Sequence, residues 1–262
     1  MAALISLLTD FGLSDTYVGQ VKGAIAAVAP GVTVVDLTHD VPAQDVRTGA
    51  FLLMTSVEVF PAGTVHLAVV DPGVGSLRRA IAAKAARGDV FVGPDNSLLV
   101  PALAKLGGMV EAVDISADRN WGPLRSTTFH GRDLFAPVAA RIATGAALAE
   151  LGPHLEALDT SWALPEPAVE GDRICGEILH VDTYGNLVTN IPHTLLPARF
   201  SVTVGEAQIP DAPQSHYASV RPGELLAVTG SAGYLEISAR EASASLLTQS
   251  RRGDPVIVQR TA

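Results

Sequence analysis

The sequence is poor in cysteine and in positive charge. Its only cysteine, Cys175, excludes a disulfide within the chain. Lys and Arg number 18 against 27 Asp and Glu, for a formal net charge of −9, and no basic face is visible. Since binding to DNA or RNA phosphates needs such a face, a nucleic acid is disfavoured as the main partner. A cationic or zwitterionic small molecule is compatible with this charge.

Long apolar runs are also missing, so the sequence predicts no segment that crosses a membrane. The first residues, MAALISLLTDFG, lack both the basic start and the small-residue cleavage site of a signal peptide. They are interpreted as a first strand, and the protein is expected to be cytoplasmic.

The first half of the chain alternates strand and helix patterns. The apolar runs LISLLT, TVVDLTH, TVHLAVVD, AIAAKA and VFVGPD predict strands, and DTYVGQVKGAIAAVAP, DVRTGAFLLMTSVEVF and PALAKLGG predict helices. A further loop-then-helix unit, FHGRDLFAPVAARIATG, follows. This alternation indicates an α/β domain with a mainly parallel sheet, assigned to residues 1–160.

The pattern changes near a polar, proline-bearing segment, and residues 161–170 are interpreted as a linker. Beyond it come ICGEILHVD, NLVTNIP, RFSVTVG, ELLAVTG, GYLEISA and DPVIVQR, short apolar runs separated by turn residues. They predict a small C-terminal β-barrel domain over residues 171–262.

Polar side chains collect where the predicted parallel strands end, which is where sheets of this class bind ligands. One such loop, DPGVGSLRR, contains GxG, but it matches neither GxGxxG nor the lysine-bearing phosphate loop. Phosphate binding is therefore disfavoured there. Its acid, its arginines and the histidine of TFHGRD could together activate a water molecule.

A metal site could use many of the same residues, because carboxylates and imidazoles are common ligands. No established ligand spacing such as HExxH, paired CxxC or an EF-hand loop is present, so metal dependence is disfavoured. The acids and histidines available for such a site are Asp10, His39, Asp40, Asp71 and His130.

Eight motifs occur in a fixed order, namely LLTDFG, DxYVGQVKG, VVDLTHDVP, VVDPGVGSxRR, GPDN, TFHGRD, VDTYGNLVTNIP and GYLEI. In these motifs the chain resembles the S-adenosylmethionine hydrolase, or hydroxide adenosyltransferase, family, which is related to the fluorinase and chlorinase enzymes. The resemblance covers nearly the whole chain. It implies an α/β domain followed by a β-barrel, and homotrimers with the active sites at subunit interfaces.

The resemblance also implies a reaction without a cofactor, in which water or hydroxide attacks the ribose C5′ of S-adenosylmethionine and methionine leaves. The water-activating triad would be Asp71, Arg78 and His130, with Arg79 as the alternative to Arg78. Asp10 would accept the ribose hydroxyls. Asp182 and Ser231 would bind the methionine end of the substrate, which Tyr17 could also reach. Asn186 would bind the adenine edge. The rings expected around base and sugar are those of Phe129, Tyr184 and Tyr217.

Two alternatives stay open. A halogenase would use the same displacement, but its relatives have an aromatic residue where this chain has Asp71, whose charge would repel a halide. A non-catalytic S-adenosylmethionine or adenosine sensor would have no need of the triad. The chain also has GSAGYLEISAR where the family often has NSFGYLEIAxN, so Gly230, Ala232 and Arg240 replace expected groups.

Overall fold

A computed structural model describes residues 3–117 and 126–261 of the chain. Two compact units are present, Met1–Ala163 and Leu164–Ala262. The boundaries 1–160, 161–170 and 171–262 stay a prediction.

The first unit is built on a six-stranded sheet. Its strands are β1 (Leu4–Thr9), β2 (Thr33–Thr38), β3 (Val65–Val69), β4 (Ala80–Ala85), β5 (Val90–Pro94) and β6 (Met109–Asp114). They lie in the order β2-β1-β3-β5-β4-β6. The pairings β1–β2, β1–β3 and β3–β5 are parallel, whereas β4 runs antiparallel to β5 and β6. The predicted mainly parallel α/β sheet is therefore confirmed.

Helices cover this sheet with apolar faces. They are α1 (Tyr17–Val28), α2 (Val46–Ser56), α3 (Val100–Lys105) and α4 (Ala136–Ala143), with short 3-10 turns at Val57–Val59 and Leu148–Glu150. Helix α1 buries Val18, Val21 and Ile25 in the same apolar cluster as α4. Within residues 3–117 and 126–261, no helix has both the length and the apolarity needed to cross a bilayer.

One turn of π-helix, Gly131–Phe135, leads directly into α4. Its wide hydrogen bond runs from the N–H of Ala136 to the carbonyl of Gly131. Such turns are rare and are frequent at functional sites.

The second unit is a nearly closed antiparallel sheet. Its strands are β7 (Ala168–Glu170), β8 (Arg173–Val181), β9 (Leu187–Pro192), β10 (Phe200–Val204), β11 (Ala207–Ala212), β12 (Leu225–Thr229), β13 (Tyr234–Ala239) and β14 (Pro255–Arg260). The order is β11-β10-β14-β8-β9-β13-β12, with β7 paired to β8. After β11, Gln214 exchanges two hydrogen bonds with Ala227 of β12, which brings the two edges together. The barrel-like fold agrees with the prediction. Helix α5 (Ala244–Thr248) and 3-10 turns at His193–Leu195 and Tyr217–Ser219 complete this unit.

Several elements differ from the sequence prediction. Strands β6, β7 and β11 were not predicted, because charged or proline residues interrupt the apolar pattern of MVEAVD, AVE and AQIPDA. Helix α2 ends at Ser56 instead of Phe60, since the chain tightens into a 3-10 turn there. Its start is set by Asp45, whose side chain caps the N–H of Thr48.

Candidate active site

Two aspartates lie at the same edge of the first sheet. Strands β1 and β3 are parallel neighbours, and Thr9 is in register with Val69. Asp10 directly follows Thr9, and Asp71 follows Val69 by two residues. The carboxyl ends of these strands therefore bring together two acids that are distant in sequence.

The loop after β3 folds back on itself. The N–H of Val74 bonds to the carbonyl of Asp71 at 3.2 Å, and that of Ser76 to the carbonyl of Gly73 at 3.0 Å. Gly75 has a φ of 78°, in the left-handed region that glycine adopts without strain. These turns return the chain toward Asp71 and place Arg78 within its reach.

Arg78 forms two hydrogen bonds with Asp71. Its Nε donates to Asp71 Oδ1 at 2.9 Å, and its Nη2 donates to Asp71 Oδ2 in a second, short bond. The two side chains are largely buried, with 11% and 6% of their surface exposed. A two-point pair of this kind fixes both orientation and charge.

His130 completes the group through the same arginine. Arg78 Nη2 donates to His130 Nδ1 at 3.0 Å. Because a guanidinium has no lone pair to offer, His130 must be the acceptor, so the proton of its neutral ring is on Nε2. Burial, followed by the positive charge of Arg78, lowers the pKa of His130 from 6.5. Asp71, Arg78 and His130 therefore form one hydrogen-bonded group, and their assignment as a water-activating triad stays a prediction from the family resemblance.

Arg79 points to a different partner. Its Nε donates to Asp95 Oδ2 at 2.7 Å, and its Nη2 donates to the carbonyl of Ala157 at 3.1 Å. Asp95 also accepts the N–H of Asp159 at 2.7 Å. Arg79 therefore ties the chain around residue 159 to the sheet, and the geometry gives Arg78, not Arg79, to Asp71.

A cavity of about 630 Å³ opens in front of Asp71 and His130. Its apolar wall is three aromatic rings, Phe11, Tyr17 and Phe129, packed edge-to-face with centroids 5.4 to 6.1 Å apart. The guanidinium of Arg132 lies 4.8 Å from the Phe129 ring centre. The size and the mixed lining are typical of a small-molecule site.

Asp10 faces the same cavity and is held by the main chain. The N–H of Gln44 donates to Asp10 Oδ2 at 2.8 Å, and Gln44 has a left-handed φ of 66°. One hydrogen bond leaves most of the acceptor capacity of the carboxylate free for a ligand. Gln44 and Phe11 were not among the predicted site residues. Only Phe11 carried a signal, as the neighbour of Asp10 in LLTDFG.

In the second unit, three predicted residues lie in the turn between β8 and β9. Asp182 Oδ1 accepts the N–H groups of Tyr184 and Asn186, both at 2.9 Å, and its Oδ2 accepts the Asn186 side-chain amide at 2.9 Å. The Tyr184 ring is exposed. Asp182 thus shapes this turn and holds Asn186 with its amide oxygen available.

The other two predicted residues of this unit lie near a buried acid. Tyr217, half-exposed, donates its hydroxyl to Glu236 Oε1 at 2.7 Å. Ser231 lies in the tight turn between β12 and β13, which is closed by the bond from Gly233 N–H to the Gly230 carbonyl at 2.9 Å. Glu236 was not predicted as a site residue. It is the acid of the GYLEI motif, but neither the motif nor the strand pattern indicates that it lies beside Tyr217.

His39, one of the residues weighed as metal ligands, has partners within the protein. His39 Nδ1 lies 2.8 Å from Thr9 Oγ1, and its Nε2 lies 3.1 Å from Asp36 Oδ1. Across the part of the chain that the structure describes, no three His, Cys, Asp or Glu side chains converge as a metal site requires.

Comparison with known proteins places this geometry in a family. The model of the SAM hydroxide adenosyltransferase N-terminal domain matches residues 5–152, and that of the C-terminal domain matches residues 176–257. The (R)-S-adenosyl-L-methionine hydrolase of Salinispora tropica is 46% identical over 95% of each chain. A fluorinase from an Actinoplanes species is 30% identical, over 73% of this chain and 72% of its own.

A crystal structure of a conserved protein from Thermotoga maritima superposes with a TM-score of 0.90 and 36% identity, over 98% of this chain and 100% of that one. The two domain models cover most of the chain, and they name the family that the motifs resemble. The chain belongs to the SAM hydroxide adenosyltransferase family.

Proposed function

We propose that the protein hydrolyses S-adenosyl-L-methionine to adenosine and L-methionine. The observation that carries this proposal is the Asp71–Arg78–His130 group, which lies on the wall of a cavity able to hold a small molecule. The name of the Salinispora relative supports the same reaction.

In the proposed mechanism, a water oxygen attacks the ribose C5′ as the C5′–S bond breaks. The bonding electron pair stays with sulfur, which leaves as the neutral thioether of methionine and needs no proton. The water proton passes to Asp71 and then to solvent. Catalysis therefore consists of aligning the water with C5′ and the sulfur, and raising the nucleophilicity of that water.

Arg78 has a supporting role in this mechanism. Its two bonds to Asp71 hold the carboxylate still, and its third bond turns the His130 ring so that Nε2–H faces away from the arginine. Asp10 would accept the ribose hydroxyls beside the aromatic wall. We assign Asp182, Asn186, Tyr184, Tyr217 and Ser231 to the remainder of the substrate, as the family resemblance implies.

A halide nucleophile fits this site less well. Asp71 would stand where a halide must approach, and two like charges at close range repel. The fluorinase match is also more distant than that to the hydrolase.

We infer from the resemblance that the protein assembles as a homotrimer with its active sites at subunit interfaces, and the cytoplasm remains the location predicted from sequence.

Isotopic labelling tests the reaction directly. Incubation with S-adenosylmethionine in ¹⁸O-labelled water is expected to give adenosine with the label in its 5′ hydroxyl, because the oxygen comes from water and the bond formed is C5′–O. Mass spectrometry of the nucleoside measures it. Unlabelled adenosine, or 5′-halo-adenosine when chloride is added, would contradict the proposal.

The activity is expected to fall at acid pH through His130. Its pKa is lowered below 6.5 by burial and by Arg78, so the neutral ring persists below the pH at which a free histidine protonates. Protonation would remove the Nδ1 acceptor and place two cations side by side. The profile of kcat/KM against pH should therefore decline with a midpoint below 6.5.

His130→Asn is the control for that profile. The Asn amide oxygen can accept from Arg78 but does not titrate, so the decline should disappear in this variant, whatever its absolute rate. A midpoint above 6.5 in the parent protein, or an unchanged decline in the variant, would assign the profile to another group.

A further inference from the structure

Glu236 is an acid buried in the barrel wall. It lies in β13 with 7% of its surface exposed. Its Oε1 accepts the hydroxyl of Tyr217 at 2.7 Å and the hydroxyl of Ser238 at 2.8 Å. Leu235, Ile237 and Ala239 of β13 pack in the barrel core, so Glu236 lies on the opposite face of the strand. A carboxyl group is costly to bury unless its oxygens are hydrogen-bonded, and here the Tyr217 and Ser238 hydroxyls supply those bonds.

The hydrogen bond to Glu236 holds the Tyr217 side chain in one orientation. The hydroxyl is anchored on Glu236 while about half of the residue remains exposed. The same carboxylate, with burial and the charge of Asp182, raises the pKa of Tyr217 to about 12, so the phenol stays a hydrogen-bond donor.

A second result concerns the turn that carries Ser231. A Cβ placed on Gly230 would stand 2.7 Å from Glu236 Oε2, closer than real side chains come. The main chain at Gly230 is therefore packed directly against the acid. The N–H of Gly230 also bonds to the carbonyl of Tyr234 at 2.9 Å, so the turn is tied to the strand that holds Glu236.

We propose that Glu236 is a positioning residue of the substrate site, which anchors the Tyr217 hydroxyl and supports the turn carrying Ser231. This inference rests on the proposed function, in which Tyr217 contacts the adenosine part of the substrate. Gly230, where the family often has asparagine, leaves the space that the carboxylate occupies. Glu236 itself acts through Tyr217 and is not a catalytic residue.

A double-mutant cycle tests the proposal. Glu236→Leu keeps the side-chain volume but removes the acceptor. It is expected to raise KM and the Kd for adenosine about tenfold, with kcat within about twofold, since a tenfold change corresponds to the loss of about one good hydrogen bond. Tyr217→Phe should weaken adenosine binding similarly. Adding Glu236→Leu to Tyr217→Phe should then change Kd by less than about twofold, because residues that act through one contact are not additive.

Two further variants separate positioning from stability. Glu236→Gln retains an acceptor oxygen and should recover most of the adenosine affinity. The exposed Glu206→Gln is the matched control and should bind as the parent does. If Glu236→Leu does not fold, the adenosine affinities of Glu236→Gln and Tyr217→Phe can still be compared with that of the parent, since both variants keep the packing.

Results that contradict the role of Glu236 differ from results that contradict the proposed hydrolysis. Unchanged adenosine affinity in Glu236→Leu, a fall in kcat alone, or additive effects in the double variant would overturn the positioning role. In each case labelled-water hydrolysis by the parent protein would be unaffected. A parent protein that binds adenosine but leaves S-adenosylmethionine intact would contradict the hydrolase proposal instead, while the adenosine titrations would still report on Glu236.

Discussion

Asp71→Asn is expected to lower kcat by about 10² to 10⁴-fold while the Kd for S-adenosylmethionine stays within about threefold, the range that general-base catalysis usually contributes. Asparagine matches the shape of the acid but cannot take the water proton, and its amide nitrogen would face the donors of Arg78. The assigned substrate contacts do not include Asp71, which is why binding should persist. Single-turnover rates with excess enzyme and calorimetric titration measure the two quantities separately.

Asp95→Asn is the matched control for this variant. It breaks an equivalent pair, since Asp95 binds the adjacent Arg79 at 2.7 Å, but Asp95 does not line the cavity that Asp71 lines. Its kcat should remain within about threefold of the parent, an allowance for indirect effects of a change outside the site. Normal turnover in Asp71→Asn would remove Asp71 from the water-activating group. An equal loss in both variants would attribute the effect to the fold.

The second large effect is expected in stability. Asp89 is fully buried and accepts from Arg87 Nε at 2.7 Å and Nη2 at 2.8 Å, while His66 Nε2 lies 3.4 Å away. Asp89→Asn would leave the guanidinium without its counter-charge beside a buried imidazole. Breaking a buried pair on one side costs about 3 to 5 kcal/mol, so the free energy of unfolding should fall by about 3 kcal/mol. Urea denaturation followed by circular dichroism measures it.

An exposed ion pair gives the comparison for Asp89. Glu58 and Lys105 lie 3.0 Å apart with 58% and 39% of their side chains exposed. Glu58→Gln should cost less than about 1 kcal/mol, because water screens such a pair. Equal losses from Glu58→Gln and Asp89→Asn would show that burial does not govern the strength of the Asp89 pair.

His66 shows how burial distinguishes structure from chemistry. Ser6 Oγ lies 2.7 Å from His66 Nδ1, and Asp89 lies on the opposite side of the ring, an order of residue types that also occurs in hydrolases. Yet Ser6, His66 and Asp89 are all fully buried, and His66 stacks on Phe91 at 4.8 Å. No substrate could reach the serine, so the group stabilises the sheet.

The choice between Arg78 and Arg79 illustrates what a sequence can predict. Successive side chains of an extended segment point to opposite sides, so only one of two adjacent arginines can reach Asp71. The family resemblance implied Arg78, with Arg79 as the alternative, and in the structure Arg78 binds Asp71. Physical reasoning from the residues alone could not select it. The direction depends on how β4 pairs with β5, where Ala80 is in register with Pro94, and that register is a property of the folded sheet.

Contacts made by the main chain, or between side chains of different elements, could not be predicted from the sequence. The N–H of Gln44 reaches Asp10 only because the chain there adopts a left-handed conformation that glutamine rarely takes. Glu236 in β13 meets Tyr217, 19 positions away in the sequence, in the 3-10 turn that precedes β12. Periodicity predicts which strands exist, whereas such pairs depend on tertiary packing.

The π-turn at Gly131–Phe135 has a consequence for the angular position of His130. Each residue of an α-helix advances by about 100° around the helix axis. Without the extra residue of the π-turn, His130 and the residues before it would therefore be rotated by about that angle relative to α4. The apolar face of α4, with Val138, Ala139 and Ile142 in the core, fixes the downstream end. The extra residue in the π-turn therefore changes the direction in which His130 points, while the core face of α4 stays in place. In this way the imidazole of His130 reaches Arg78.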